Sequence, residues 1–272
     1  VPGEVTDLYR GPLSQLDVPS QQALAVVAAD ATGNLAALTD AIHALGLGPA
    51  DLERAEGLGL IEMDAGSIDF VHPLARTAAY QSFSAPVRRA AHGALADAVG
   101  PSTPNGILHR VAAAVGVDAG LAGDVAALAH ESLLRGAPLT AASQFVQAAS
   151  LTAVPADIAD RLVAAARAAV AAGEVPWAAE LVGKARALDD ERGNRLDARL
   201  VDIRLAVSRG DLDGARRVAE AAAAVHATSD PAGVVELLVE AARPMLVGAS
   251  AEAPKLIEHM WELAASMDAA RR

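Results

Sequence analysis

Apolar and polar side chains follow two rules along this chain. In LIEMDAGSIDFV, residues 60–71, they alternate. Ile61 and Met63 alternate with Glu62 and Asp64; after Ala65-Gly66, Ile68 and Phe70 alternate with Asp69 and Val71. Alternation puts one set of side chains on one face of an extended strand, so the stretch predicts a two-stranded hairpin with a short turn. Helical spacing precedes it. Pro19 and Ser20 open a helix that runs to about Asp30, and a second spans about Asn34–Ala44. A short third helix starts at Pro49 and stops at Gly57 and Gly59. Three helices and then a hairpin is the element order of a winged helix. Two more helices follow, from Pro73 to about Ser82 and from Ser84, a plausible N-cap, to about Val99. His72 stands where the second strand meets Pro73. The residue before a proline avoids the helical region, while proline suits a first helical turn, so His72 sits at a strand-to-helix corner.

GPSTPNG, residues 100–106, interrupts this grammar, and beyond it no strand pattern occurs. A repeat takes over instead. Gly136, Gly173 and Gly210 are each 37 residues apart, and a degenerate fourth copy starts at Gly248. Five positions after each glycine stand Ala141, Ala178, Ala215 and Ala253; nine after stand Phe145, Val182, Ala219 and Ile257; twelve after stand Ala148, Ala185, Ala222 and Met260. Seven before stand Ala129, Ala166, Ile203 and Ala241; three before stand Leu133, Val170, Val207 and Met245. These offsets are helical on both sides of a glycine turn, with small residues where two helices touch closely. That is a helical-hairpin array of the tetratricopeptide (TPR) kind, whose usual period is about 34 residues. The tryptophan and tyrosine of the full TPR signature are missing, so the array is TPR-like. Pro244 is expected to kink the first helix of the last copy.

The expected organisation is therefore a mainly α chain. Residues 1–15 form a linker or arm, 16–100 a winged-helix domain with a small β-hairpin, 101–118 a connector, and 119–272 the TPR-like α-helical repeats. Composition agrees with helices packed through small side chains: the chain is 53% hydrophobic but only 3% aromatic, and alanine is the best helix former.

Charge and missing motifs narrow the function. The net charge is −12 over 272 residues, which disfavours non-specific binding to nucleic acid or an anionic membrane. Residues 16–99 carry ten acidic and four basic side chains, and the helix before the hairpin holds Asp51, Glu53 and Glu56 against Arg54. A helix that faces DNA needs the opposite sign, so a DNA-reading winged helix is the disfavoured third reading. There is no cysteine, so disulfides and thiolate chemistry are excluded. The opening VPGEVTDLYRGPL has no basic stretch followed by an apolar one, so it is not expected to be a signal peptide, and no apolar run approaches the about 18 residues that a membrane span needs. Cytoplasmic residence fits.

The sequence has no phosphate loop, no HExxH and no GxSxG elbow. Histidines are scattered, so no metal site and no catalytic residue is assigned, and the chain is not expected to be an enzyme. Asp189-Asp190, Arg88-Arg89, Arg216-Arg217 and Arg271-Arg272 read as solvated helix surface. His92 reads as structural, and Met260 and Trp261 as packing under the last repeat. Trp177, just after a repeat turn, is the candidate for contact with a partner, with packing between repeats as its other role.

One phrase goes further. FVHPLARTAAYQSFSAPVRRAAHGALADAV, residues 70–99, resembles the segment that follows the ATPase core in large ATP-binding LuxR-type transcriptional regulators, which belong to the signal-transduction ATPases. The family phrase is F-R-H-P-L-x-R-x-A-x-Y followed by R-R-x-x-H-x-x-L-A. Phe70, His72, Pro73, Leu74, Arg76, Ala78, Tyr80, Arg88, Arg89, His92, Leu95 and Ala96 match it. Val71 departs from the family's arginine. The segments ALAVVAADATGNLAALTDAI and LERAEGLGLIEMD look like the family's winged helix. ILHRVAAAVGVDAG looks like its W-H-x-A-x-A helix, with Ile107-Leu108 at the tryptophan, and LLRGAPLTAASQFVQAASLT like its first repeat.

The resemblance covers about 16–188. It implies a middle piece of a longer protein, with an ATPase domain that binds ATP or ADP before it and a LuxR-type helix-turn-helix after it. Partners would then be the upstream ATPase domain and an inducer, small molecule or protein, on the repeats; DNA would be met only through the absent helix-turn-helix, and no membrane is involved. By the same analogy His72, supported by Arg76 one turn on, contacts the nucleotide phosphate; the alternative is that His72 only caps the helix at Pro73. Three functions follow: a regulatory segment that couples repeat occupancy to nucleotide state, a TPR-like scaffold without such coupling, and a winged-helix DNA binder.

Overall fold

The computed structural model describes residues 9–64, 66–189, 195–247 and 253–270. The chain divides into two units, residues 1–116 and 117–272. Residues 1–8 of the expected arm, Ala65 of the hairpin turn, Asp190, the Gly248 turn and Arg271-Arg272 lie outside the described residues.

In the first unit, residues 9–14 are already helical, and Leu13 and Leu16 are buried in the core. Helix α1 spans Val18–Ala29, and the Asp17 carboxylate accepts from the Ser20 amide at 3.0 Å. Helix α2, Leu35–Ala44, is capped in the same way by Asn34. The Pro49 segment is a 3-10 turn, Pro49–Leu52, running into the short helix α3, Glu53–Gly57. Strands β1, Ile61–Met63, and β2, Ile68–Phe70, pair antiparallel, with Ile61 opposite Phe70 and Met63 opposite Ile68. Asn34 adds an isolated bridge to Ser67, so the hairpin is also tied to the start of α2.

Helices α4, Pro73–Ser82, and α5, Ala85–Val99, follow. Ser84 holds the N-cap position of α5 but makes no side-chain cap bond. Residues 101–118 are largely a helix, α6, Pro104–Ala113, which packs on α5. Leu24, Leu38, Leu52, Leu60, Ile61 and Leu95 are fully buried at the centre of this unit. Each buried leucine contributes about 1.5–3 kcal/mol of transfer free energy.

The second unit is a series of helical pairs: α7, Ala119–Leu134, with α8, Pro138–Ser150; α9, Pro155–Ala171, with α10, Val175–Leu188; α11, Leu196–Ser208, with α12, Leu212–His226; and α13, Pro231–Val247, with α14, Ala253–Ala270. The first helix of a pair packs on its own partner and on neighbouring pairs. Helix α9 touches α8, α10 and α11, and helix α11 touches α10, α12 and α13. This is the nearest-neighbour stacking of a helical repeat array.

The glycine turns show why the period is audible in the sequence. Gly136, Gly173 and Gly210 have φ of 73, 83 and 76°. In each turn the following amide reaches back five residues: Ala137 to the Ser132 carbonyl at 2.9 Å, Glu174 to Ala169 at 2.8 Å, and Asp211 to Ala206 at 2.9 Å. This is the Schellman ending of a helix, whose left-handed residue is strained for any side chain with a Cβ.

The repeat's small positions lie where the sequence placed them. Ala141, Ala178, Ala215 and Ala253 are all buried, as are Ala129, Ala166, Ile203 and Ala241. Two positions differ. Leu133 is 39% exposed, because it lines a groove on the repeat surface. Trp261, expected under the last repeat, is 67% exposed. Helix α14 buries Ala253 and Leu256 and half-buries Ile257 and Met260; Trp261, one residue further, is turned about 100° away from that stripe. Helix α13 runs through Pro244 to Val247. Among the described residues no helix is long and apolar enough to cross a membrane.

Candidate functional site

The phrase singled out in the sequence forms the corner between β2 and α4. His72 is extended, with φ −151° and ψ 139°, and its Nδ1 accepts from the Leu74 amide at 3.1 Å. The ring thus caps its own helix and is exposed. Arg76, one turn on, is committed inward. Its guanidinium donates to the Asp30 carbonyl at the end of α1, lies 3.7 Å from the Asp69 carboxylate and stacks 5.6 Å from the centre of the Phe70 ring. Arg76 therefore ties α4 to α1 and to β2. Asp30 is itself buried, and its carboxylate accepts from Thr32 Oγ1 and from the Gly33 amide, both at 2.8 Å.

Behind this corner lies a polar chain that helical spacing did not reveal. Tyr80 on α4 is hydrogen-bonded through its hydroxyl to His92 Nε2 on α5 at 2.9 Å. His92 Nδ1 meets His109 Nδ1 on α6, also at 2.9 Å. His92 is buried. Burial, then the charges of His109 and Arg88, push its pKa down to about 4. Burial also lowers that of His109, against a smaller opposing pull from Asp30. Arg88 donates to the Tyr80 carbonyl at 3.3 Å and lies over the Tyr80 ring. His92 is thus the joint of three helices. The two histidines are 17 residues apart on different helices, and nothing in one dimension pairs them.

In the repeat unit, a groove of about 400 Å³ opens along the first helices of successive pairs. His130 and Leu133 of α7, Phe145 of α8, Asp160, Ala164 and Arg167 of α9, and Arg195 and Asp197 at the start of α11 line it. His130 Nδ1 donates to the Ala126 carbonyl at 2.7 Å, and its ring stands edge-on to Phe145 at 5.0 Å. Two ion pairs cross from α9 to α11: Arg167 to Asp197 at 2.6 Å and Arg195 to Asp160 at 3.4 Å. A hollow of about 280 Å³ shares Arg195 and Asp197 and continues to His226, Asp230 and Glu236. Further along, Arg204 of α11 pairs with Glu240 of α13 at 3.1 Å. The groove therefore mixes apolar side chains, an aromatic ring among them, with charges of both signs. Leu133 and Phe145 stand at the repeat offsets read from the sequence; the charged side chains of the groove had no signal there beyond falling off the alanine stripe.

Trp177 lies on the other helix of a pair, half-buried against the core built from α7–α11. Trp177 belongs to the second unit, and His72 and Arg76 to the first. Among the described residues no group of three or more His, Asp or Glu side chains is placed to hold a metal ion.

No family model matches this chain, and no curated protein matches it. Among solved structures, the chain is similar to a signal transduction ATPase with numerous domains (STAND) protein with a tetratricopeptide repeat sensor from Pyrococcus horikoshii, at 12% identity and a TM-score of 0.43. The similarity covers 97% of this chain and 47% of that one, so the chain spans about half the length of that protein.

Proposed function

We propose that this chain is the regulatory segment of a LuxR-type, ATP-dependent transcriptional regulator. In this reading residues 16–100 are a winged helix, and the TPR-like repeats are the sensor. An inducer or partner protein occupies the repeat groove, and the winged helix relays that occupancy to the ADP- or ATP-bound state of an ATPase domain outside this chain. DNA is bound by a helix-turn-helix that is likewise outside it, and this chain carries no catalysis of its own.

The observation that carries the reading is the pairing of the family phrase at residues 70–99 with a repeat array whose exposed groove is charged with both signs. A sensor requires a ligand that binds two states unequally. Ion pairs such as Arg167–Asp197, which bridge successive helical pairs, supply contacts that a ligand exchanges when helices shift.

The test is calorimetric titration of the full-length protein with ADP, comparing wild type with His72→Ala and His72→Ser. Serine keeps a helix cap and removes the ring, so it separates folding from nucleotide contact. A loss of about tenfold or more in ADP affinity in both variants, which is about 1.4 kcal/mol, is expected if His72 meets the phosphate. Unchanged affinity and unchanged basal transcription remove that role.

A second reading has its own observation. The Nδ1 cap of His72 and the inward commitment of Arg76 account for both residues without a nucleotide. They favour a TPR-like interaction scaffold in which no nucleotide coupling passes through this corner.

A further inference from the structure

We propose that the Tyr80–His92–His109 chain is a proton-operated latch that holds α6 against α5 and releases it on acidification. A neutral imidazole carries one N–H and one lone pair. The contact between His92 Nδ1 and His109 Nδ1 at 2.9 Å uses one of each. Two neutral arrangements satisfy the whole chain. In one, Tyr80 O–H donates to His92 Nε2 and His92 Nδ1–H donates to His109. In the other, His109 Nδ1–H donates to His92, whose Nε2–H donates to the Tyr80 oxygen. One added proton still leaves a donor facing an acceptor. A second sets N–H against N–H at the same short distance, and the contact breaks.

The surroundings do not compensate that charge. Arg88 on α5 reaches Tyr80 and adds positive charge. On α4, Arg76 is turned to the Asp30 carbonyl. On α6, Arg110 faces the Pro101 carbonyl at 3.5 Å. Helix α2, packed on α5, carries Asp40 and His43, but neither contributes to the shift of either ring. The carboxylate that pulls the other way is Asp30, which acts on His109 and is already taken by Thr32 and Gly33. Both histidine pKa values are depressed in the closed form, so the stability they lend is complete above the ordinary imidazole pKa of about 6.5. It is lost as the pH falls from there toward the depressed values.

The test is hydrogen exchange on the whole chain at pH 7 and pH 5, read as protection factors so that intrinsic chemistry cancels. From pH 7 to pH 5 opening grows by about 25-fold if the open form takes up one more proton, and by about 600-fold if it takes up two, for groups of ordinary pKa. The expected result is that protection across residues 104–113 falls within that range, while amides of α1 change less than threefold. His109→Leu, which leaves only His92 to titrate, reduces the pH dependence of 104–113 below that of wild type. Constant protection in 104–113 overturns the proposal, as does a parallel fall in α1, which would be general acid unfolding. So does a folded His109→Leu protein that keeps the wild-type pH response. If that variant does not fold, the wild-type comparison of α6 with α1 decides alone.

Discussion

One methyl group, added at two glycines of the same helical pair, is expected to act with opposite signs. Gly173 sits in the turn between α9 and α10 with φ of 83°, and a Cβ there meets nothing within 4 Å. Its cost is therefore purely conformational. The turn is held on both sides, by Gly173 N–H to Val170 at 3.0 Å and Glu174 N–H to Ala169 at 2.8 Å, so the backbone cannot relax without losing bonds. An L-residue in the left-handed region costs about 1–2 kcal/mol. A stiffer unfolded chain returns about 0.4–1 kcal/mol of that. Gly173→Ala should therefore destabilise by about 1 kcal/mol. Gly183 lies inside α10 on an exposed face, and a Cβ there also meets nothing within 4 Å. Gly183→Ala has no conformational cost and should stabilise by up to about 1 kcal/mol. The two variants then differ by about 2 kcal/mol. At a urea slope of about 2 kcal/mol per molar, their midpoints should stand about 1 M apart. Urea unfolding followed by tryptophan fluorescence in a Trp261→Phe background measures this, because Trp177 lies on the helix that both substitutions flank or occupy. Gly173→Asn should recover part of the loss, since asparagine tolerates the left-handed region. A Gly173→Ala protein as stable as wild type would refute the left-handed turn and, with it, the physical reason for the 37-residue period.

Two other substitutions probe packing and the corner. Ala166→Leu places three extra heavy atoms where α9 touches its neighbours with no exposed surface and should cost about 1–3 kcal/mol by overpacking, lowering the urea midpoint of the repeat unit; an unchanged midpoint would mean that the helices are not in close contact there. Arg76→Ala removes the bond to the Asp30 carbonyl and the stack on Phe70 and should cost about 1–3 kcal/mol in thermal or urea unfolding, because it leaves a part-buried carbonyl without its charged donor; a fully stable variant would show that α4 does not need this tie.

The sequence by itself determined whatever depends on local periodicity and backbone chemistry. Alternation at 61–63 and 68–70 specified the hairpin, since successive side chains in a strand must face opposite ways. Pro73 fixed the start of α4 to the residue. The glycines at 136, 173 and 210, with small residues at constant offsets, specified turns and close helix contacts, because only glycine adopts the required φ cheaply and only small side chains allow the approach. Trp261 shows the limit of that reading: next to Met260 in sequence, it is a different face in a helix.

What only the tertiary structure decided is which side chains meet across elements. His92 and His109 are 17 residues apart and on different helices, so no offset joins them, yet their rings share a hydrogen bond. Asp160 with Arg195, and Arg167 with Asp197, pair across neighbouring helical hairpins. In sequence they are ordinary charges off the buried stripe, and they line a groove only when α9 stands beside α11. The same holds for His72. The sequence placed it at a corner, but the role of its Nδ1 as a cap is set by where the Leu74 amide points once Pro73 has turned the chain.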